Sequence, residues 1–153
     1  MTNTYYGIYQ GIVTNVEDPE KRGRLRCKIP KVLGDTSESA WCDPMIPVSY
    51  DDGGDFCMPP VKEAVWVQFI EGDVNRPVWC GGWWMKNKSP LGDTYSNLDD
   101  TRIISYKDCK IEIHKDSCVI SNSAGKITLA NGGITIESSG AVTIKGASVN
   151  LNP

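Results

Sequence analysis

A beat of β-branched residues in the last third of the chain limits what it can fold into. Within residues 103–153, Ile111, Val119, Ile127, Ile134, Val142 and Val149 follow one another at intervals of 8, 8, 7, 8 and 7 residues. A second apolar residue stands two positions later at Ile113, Leu129, Ile136, Ile144 and Leu151, and only Ser121 breaks this partner series. Gly, Asn, Ser and Ala fill the intervals. Residues i and i+2 share one face of a strand. Each unit therefore reads as a very short strand with one apolar face, followed by a corner of small residues. Such periodicity is an internal repeat.

A unit of this size cannot bury its own apolar pair, so units must stack. One chain coiling alone would use three units per triangular turn, which leaves about two turns and open edges at both ends. Three chains winding together need one unit each per turn, which gives about six turns closed around a threefold axis. The repeat thus predicts an intertwined trimeric triple-stranded β-helix, or β-prism. Its dry core would comprise Ile111, Ile113, Val119, Ile127, Leu129, Ile134, Ile136, Val142, Ile144, Val149 and Leu151. At about 4.8 Å per added strand, the rod would be on the order of 30 Å long.

Charge follows the same division. Residues 1–102 hold 15 acids and 11 bases, and residues 103–153 hold 4 acids and 5 bases. From Ser117 onward only Lys126, Glu137 and Lys145 are charged. The formal net charge of −3 argues against nucleic acid as a main partner. The opening MTNTYYGIYQ lacks the basic and apolar regions of a signal peptide. The six cysteines match no zinc module; reduced thiols are the default reading, and their even number leaves disulfides open.

The first part of the chain lacks helical periodicity and is punctuated by turn residues. Residues 5–16 read as a long strand that Gly7 and Gly11 allow to bend. Asp18-Pro19 and Gly23 mark a turn. Residues 24–29 alternate, with Leu25, Cys27 and Ile29 on one face and Arg24, Arg26 and Lys28 on the other. Residues 31–40 and 51–60 read as loops, and 40–49 as at most a short edge strand. Residues 64–70 alternate again, and 78–84 form the fifth strand. The expected organisation is an all-β chain: a small barrel of the OB type over 1–84, a linker over 85–102 and the β-helix over 103–153.

The runs GIVTNVEDPEKRGRLRCKIP, WCDPMIP and PPVKEAVWVQFIEGDVNRPVWCGGW resemble, in order and spacing, the OB-fold domain of contractile-tail central spikes. That family includes phage baseplate assembly protein V and the VgrG spike of type VI secretion. The repeat is similar to the triple-stranded β-helix of the same proteins. The resemblance implies a structural homotrimer made in the bacterial cytoplasm and assembled into a phage tail or another extracellular contractile particle. The OB domains would dock on a separate baseplate hub protein. The rod would pierce the target envelope, with Val149, Leu151 and Pro153 at the tip, closed by themselves or capped by a PAAR-like protein. No cofactor, metal or enzymatic activity is implied.

Alternative chemistry is thin. Arg24, Arg26 and Lys28 with Tyr5, Tyr6, Tyr9 and Trp66 could line a single-strand groove. Trp66, Trp79, Trp83 and Trp84 could stack on sugars or bases, making the chain a trimeric oligosaccharide- or nucleic-acid-binding module with the rod as a stalk. His114 with Glu112 and Asp116 reads as a solvated strand face rather than a metal site. Asp51, Asp52 and Asp55 read as a turn rather than a calcium loop. With a single histidine placed on the rod, no nucleophile–base pair is expected.

Overall fold

The computed structural model describes residues 3–89 and 98–150. The chain divides into two compact units, Met1–Ser89 and Pro90–Pro153.

The first unit is a barrel. β1 (Tyr9–Asn15) pairs antiparallel with β2 (Arg26–Lys28) on one side. After one helical turn, α1 (Pro30–Leu33), the chain reaches β3 (Asp43–Pro44). A small hairpin follows, β4 (Ser49–Tyr50) with β5 (Gly53–Gly54), and Asp51 and Asp52 are its turn. β6 (Ala64–Phe69) lies antiparallel to β1, and β7 (Pro77–Gly82) lies antiparallel to β6. β3 runs parallel to β7, which gives the strand order β2-β1-β6-β7-β3. Bridges from Leu25 to Cys42 and from Lys28 to Glu38 bring the segment before β3 back to the β2 strand. This closes the Greek-key circuit of an OB-type barrel.

Alternation explains the core. Leu25, Cys27, Ile29, Val65 and Val67 are completely buried, and Val13, Cys42, Phe69 and Trp79 join them. Gly11 faces this core where a side chain could not fit. A Cβ there would stand 2.9 Å from Val67 Cγ2 and 3.1 Å from Cys27 Sγ. Tyr9 packs edge-on against Tyr5 and Phe69, which are tilted to each other, with ring centroids 5.6–6.1 Å apart.

The short edge strand expected within 40–49 is β3, two residues long at the end of the sheet order. Two features differ from the expectation. Residues 31–33, expected as loop, belong to a helical turn that starts at Pro30, whose fixed φ suits the first helical position. The strand expected over 78–84 stops at Gly82, and Gly81, at φ +47°, is a bulged residue between the Val65–Gly82 and Trp66–Cys80 pairs.

The second unit is an antiparallel meander. After a 3-10 turn at Leu98–Asp100 come β8 (Thr101–Tyr106), β9 (Cys109–His114), β10 (Ser117–Ser121), β11 (Gly125–Ala130) and β12 (Gly133–Ser138). Each strand pairs with the next in sequence. Thr101 and Arg102, expected in the linker, already belong to β8. Two-residue turns stand at Lys107-Asp108, Lys115-Asp116 and Asn131-Gly132. Asn-Gly is the strongest short hairpin signal. The beat of eight is thus a six-residue strand plus a two-residue reversal. The expectation had consecutive units of one chain winding in one sense; here consecutive strands reverse and pair with each other. Residues 139–150 contain no strand.

Candidate assembly surface

Reversal at every turn decides which side chains share a face. Residues directly opposite in an antiparallel pair point to the same side. Ile104 lies opposite Ile111, Ile111 opposite Ile120, Ile120 opposite Ile127, and Ile127 opposite Ile136. Five isoleucines therefore form one unbroken row across all five strands. A second row on the same face runs Arg102, Ile113, Cys118, Leu129, Ile134. The face is a shallow trough of about 610 Å³ lined by Tyr106 and the five isoleucines of the first row.

This face is bare. Ile120 is 46% exposed, Ile127 39%, Ile136 53% and Ile134 71%. Ile113 and Leu129 are exposed as well, and Ile111 is half-buried. Val142, Ile144 and Val149, beyond β12, are exposed on a segment with no strand. Leu151 and Pro153 lie outside the described residues.

Val119 is a correction. It was expected in the apolar row, but it pairs with Glu112 and Thr128 on the opposite face. Ile120 and Cys118 take its place. The physical reason is the mirror relation between hairpin strands: a translated repeat selects Val119 and Ser121, whereas a reflected one selects Cys118 and Ile120. Ser121, the apparent break in the series, lies on the polar face opposite Lys110 and Lys126.

The polar face also holds His114, whose Nδ1 lies 3.2 Å from Thr101 Oγ1. Glu112 shares that face, while Asp116 sits in the turn. Among the described residues, no three His, Cys, Asp or Glu side chains are grouped to hold a metal ion. Lys126 pairs with Glu137 at 3.0 Å. Ser123 donates to Asp108 at 3.0 Å, and this holds the Asp108 carboxyl below its usual range.

In the barrel, the β1–β2 turn is built on Asp18. Its carboxylate accepts from Arg24 Nη2 at 2.7 Å and Nε at 3.0 Å, and from the backbone N–H groups of Glu20, Arg22 and Arg24. The Asp18 side chain is only 4% exposed. The Arg24 hydrogen bonds hold its carboxyl well below the carboxylate range, against the opposing effect of burial. Glu20 adds a second contact to Arg24 at 3.0 Å, and Arg22 reaches Asp43 at 3.2 Å.

This geometry removes several expected ligand contacts. Arg24 is held by Asp18 and Glu20, and Arg24 and Arg26 stand over the ring of Trp41. Trp79 is 4% exposed, with Nε1 donating to Gly23 O at 3.2 Å, so it is a core residue and not a stacking platform. Trp66 packs on Trp83 at 4.6 Å, and Trp84 is exposed. Tyr5 and Tyr9 pack with Phe69, while Tyr6 is exposed.

The sequence reading missed the thiol cluster at the barrel seam. Cys27 Sγ lies 3.8 Å from Cys42 Sγ, and Ser39 Oγ lies 3.3 Å from Cys42 Sγ. The hydrogen bond with Cys27, followed by burial, pushes the Cys42 thiol far above its usual range, while the same hydrogen bond lowers Cys27. No local spacing announces this pair, because 15 residues separate the two cysteines.

Residues 9–84 match the family model of the type VI secretion system/phage-baseplate injector OB domain. The match runs from the first residue of β1 to two residues past β7 and so frames the whole barrel. No curated protein matches the chain. The barrel of the first unit is therefore similar to the injector OB domain of type VI secretion systems and phage baseplates.

Proposed function

We propose that this chain, with its injector OB domain at residues 9–84, is the trimeric central spike of a contractile injection machine. The observation that carries this reading is the bare isoleucine row from Ile104 to Ile136. Fully burying one such side chain contributes about 1.5–3 kcal/mol, and a monomer forgoes roughly half of that along the row. A face of this kind marks an association site.

Copies of the same chain are the occupants that suit it. The sheet has two unsatisfied features, an apolar face and the open edges at β8 and β12. Three sheets arranged as the faces of a triangular prism bring the isoleucine rows to one axis and place edge strands beside one another. Residues 139–150 fit the same arrangement. They keep the beat with Val142, Ile144 and Val149 but lack a partner strand within the described residues. Strands contributed by neighbouring chains supply one, so the far segment intertwines while β8–β12 form the faces.

The function is mechanical, without a catalytic step. Strands shared among three chains resist unravelling one chain at a time. The low charge from Ser117 onward reduces the cost of passing through lipid. The OB domains serve as a collar on a separate hub protein, and the far end takes a PAAR-like cap or closes on itself. The chain carries no nucleic acid in this scheme. It is made in the bacterial cytoplasm and works in an assembled tail or particle.

Amide hydrogen exchange on the purified full chain tests the arrangement. Protection of residues 139–150 comparable to that of β9–β11 is the expected result. Exchange of 139–150 at the rate of an unstructured peptide would contradict an intertwined end.

A further inference from the structure

The barrel closes through an uneven seam. β1 and β6 pair along a continuous ladder of four residues. Between the β2 strand and the segment leading to β3 there are only two isolated bridges, Leu25–Cys42 and Lys28–Glu38. The thiols of Cys27 and Cys42 meet across this seam. Both residues are completely buried, and their sulfurs are 3.8 Å apart. Ser39 holds the pair in place: its N–H donates to Cys27 O at 2.9 Å, and its Oγ accepts from Cys27 N at 3.1 Å. Gly11 leaves the room that the Cys27 sulfur fills, since a Cβ there would lie 3.1 Å from it.

We propose that Cys27 and Cys42 are a modification site, a reversible disulfide that covalently closes the seam of the barrel under oxidising conditions. A disulfide needs its sulfurs about 2.05 Å apart. From the observed 3.8 Å, the two sulfurs on these facing segments have about 1.8 Å left to close. The bond stands across a contact made by two isolated bridges rather than a continuous ladder, and so constrains it.

The co-reactant is a small-molecule disulfide such as oxidised glutathione. One cysteine thiolate attacks it, forms a mixed disulfide and releases one glutathione thiolate. The thiolate of the second cysteine then attacks the protein sulfur of that mixed disulfide. The Cys27–Cys42 bond forms, and the second glutathione leaves. The protein loses two protons and two electrons; the two glutathione sulfurs take up both. Cys27, whose thiolate is favoured by the hydrogen bond from Cys42, is the first nucleophile. Because both sulfurs are buried, exchange proceeds while the seam is open, during folding or local opening.

The test uses the full chain in two arms: native protein held in a glutathione redox buffer, and protein refolded from denaturant in the same buffer. After acid quench, denaturation and thiol alkylation, intact mass counts the blocked cysteines, and peptide mapping locates any bond. A 27–42 linked peptide in either arm, with four of the six thiols alkylated, is the expected result. The oxidised barrel should unfold about 10 °C or more above the reduced one, because the bond closes a loop of roughly 15 residues. Cys42→Ser should remove both the linkage and the shift, with Cys27→Ala as a second variant if Cys42→Ser does not fold. Six alkylated thiols in both arms, or linkage confined to Cys57, Cys80, Cys109 or Cys118, would overturn the proposal.

Discussion

The two units bury aliphatic side chains to opposite extents. In the barrel, Leu25, Ile29, Val65 and Val67 are completely buried, and the strand circuit closes on itself. In the meander, Ile120, Ile127, Ile134 and Ile136 are 39–71% exposed on a sheet with two open edges. Both are built from β-strands. The difference lies in closure. A sheet that curls into a barrel supplies its own second layer; the five-stranded meander has none among the described residues. The barrel has the core of a unit stable as one chain, and the proposed assembly is what would cover the meander. Stability of the first unit and assembly of the second should therefore respond to different mutations.

The largest expected effect is at the apolar row. Ile120→Asp places a carboxylate at the centre of the face in every copy, and burying an unpaired charge costs several kcal/mol. The substitution should convert the assembly to monomer in sedimentation while barrel tryptophan fluorescence stays native. Val119→Asp, one residue away on the opposite face, should leave the assembly intact. If the two variants behave alike, the assignment of faces fails.

Next comes a change confined to the barrel. Gly11→Val drives a branched side chain into Val67 and Cys27. Overpacking of this kind costs about 1–3 kcal/mol, so the barrel's denaturation midpoint should fall with no change in mass. A loss of assembly in this variant would mean that the units are not energetically separate.

Acid titration gives a smaller effect with a definite sign. The Asp18 carboxyl is held below its unfolded value, so its contribution is fully present above the unfolded pKa of about 3.9 and fades as pH falls toward the folded one. The barrel should lose stability on acidification below about pH 4. Asp18→Asn should be less stable at neutral pH and show a flatter acid limb. An unchanged acid limb in that variant would remove Asp18 as its origin.

The smallest effect is at the Lys126–Glu137 pair, where both side chains are about half exposed. Glu137→Gln should cost no more than about 0.5 kcal/mol and leave the mass unchanged. A large shift there would show that the polar face, not the isoleucine face, is the contact surface.

Much of the barrel was legible because alternation is a local signal. Leu25, Cys27 and Ile29, and Val65, Val67 and Phe69, declare one buried face each. β3 was legible only as at most a short edge strand: it is two residues long, contains Pro44, and its bounds are set by pairing with the distant β7. The thiol cluster was hidden for the same reason. In the repeat, the beat and most of the apolar positions could be read directly. The choice between Val119 and Ile120 could not, since both are apolar and adjacent. The turns carried the deciding information: Asn131-Gly132 reverses the chain, and a reversing chain reflects its pattern rather than translating it. Leu151 and Pro153, expected at the tip, lie outside the described residues.

The mass of the intact chain in solution, by sedimentation equilibrium or native mass spectrometry, tests the central claim most directly. The account predicts a species of about 50 kDa, three times the 16.8 kDa chain, that persists on dilution and is lost in Ile120→Asp. A single species of 16.8 kDa for the unmodified chain would contradict it.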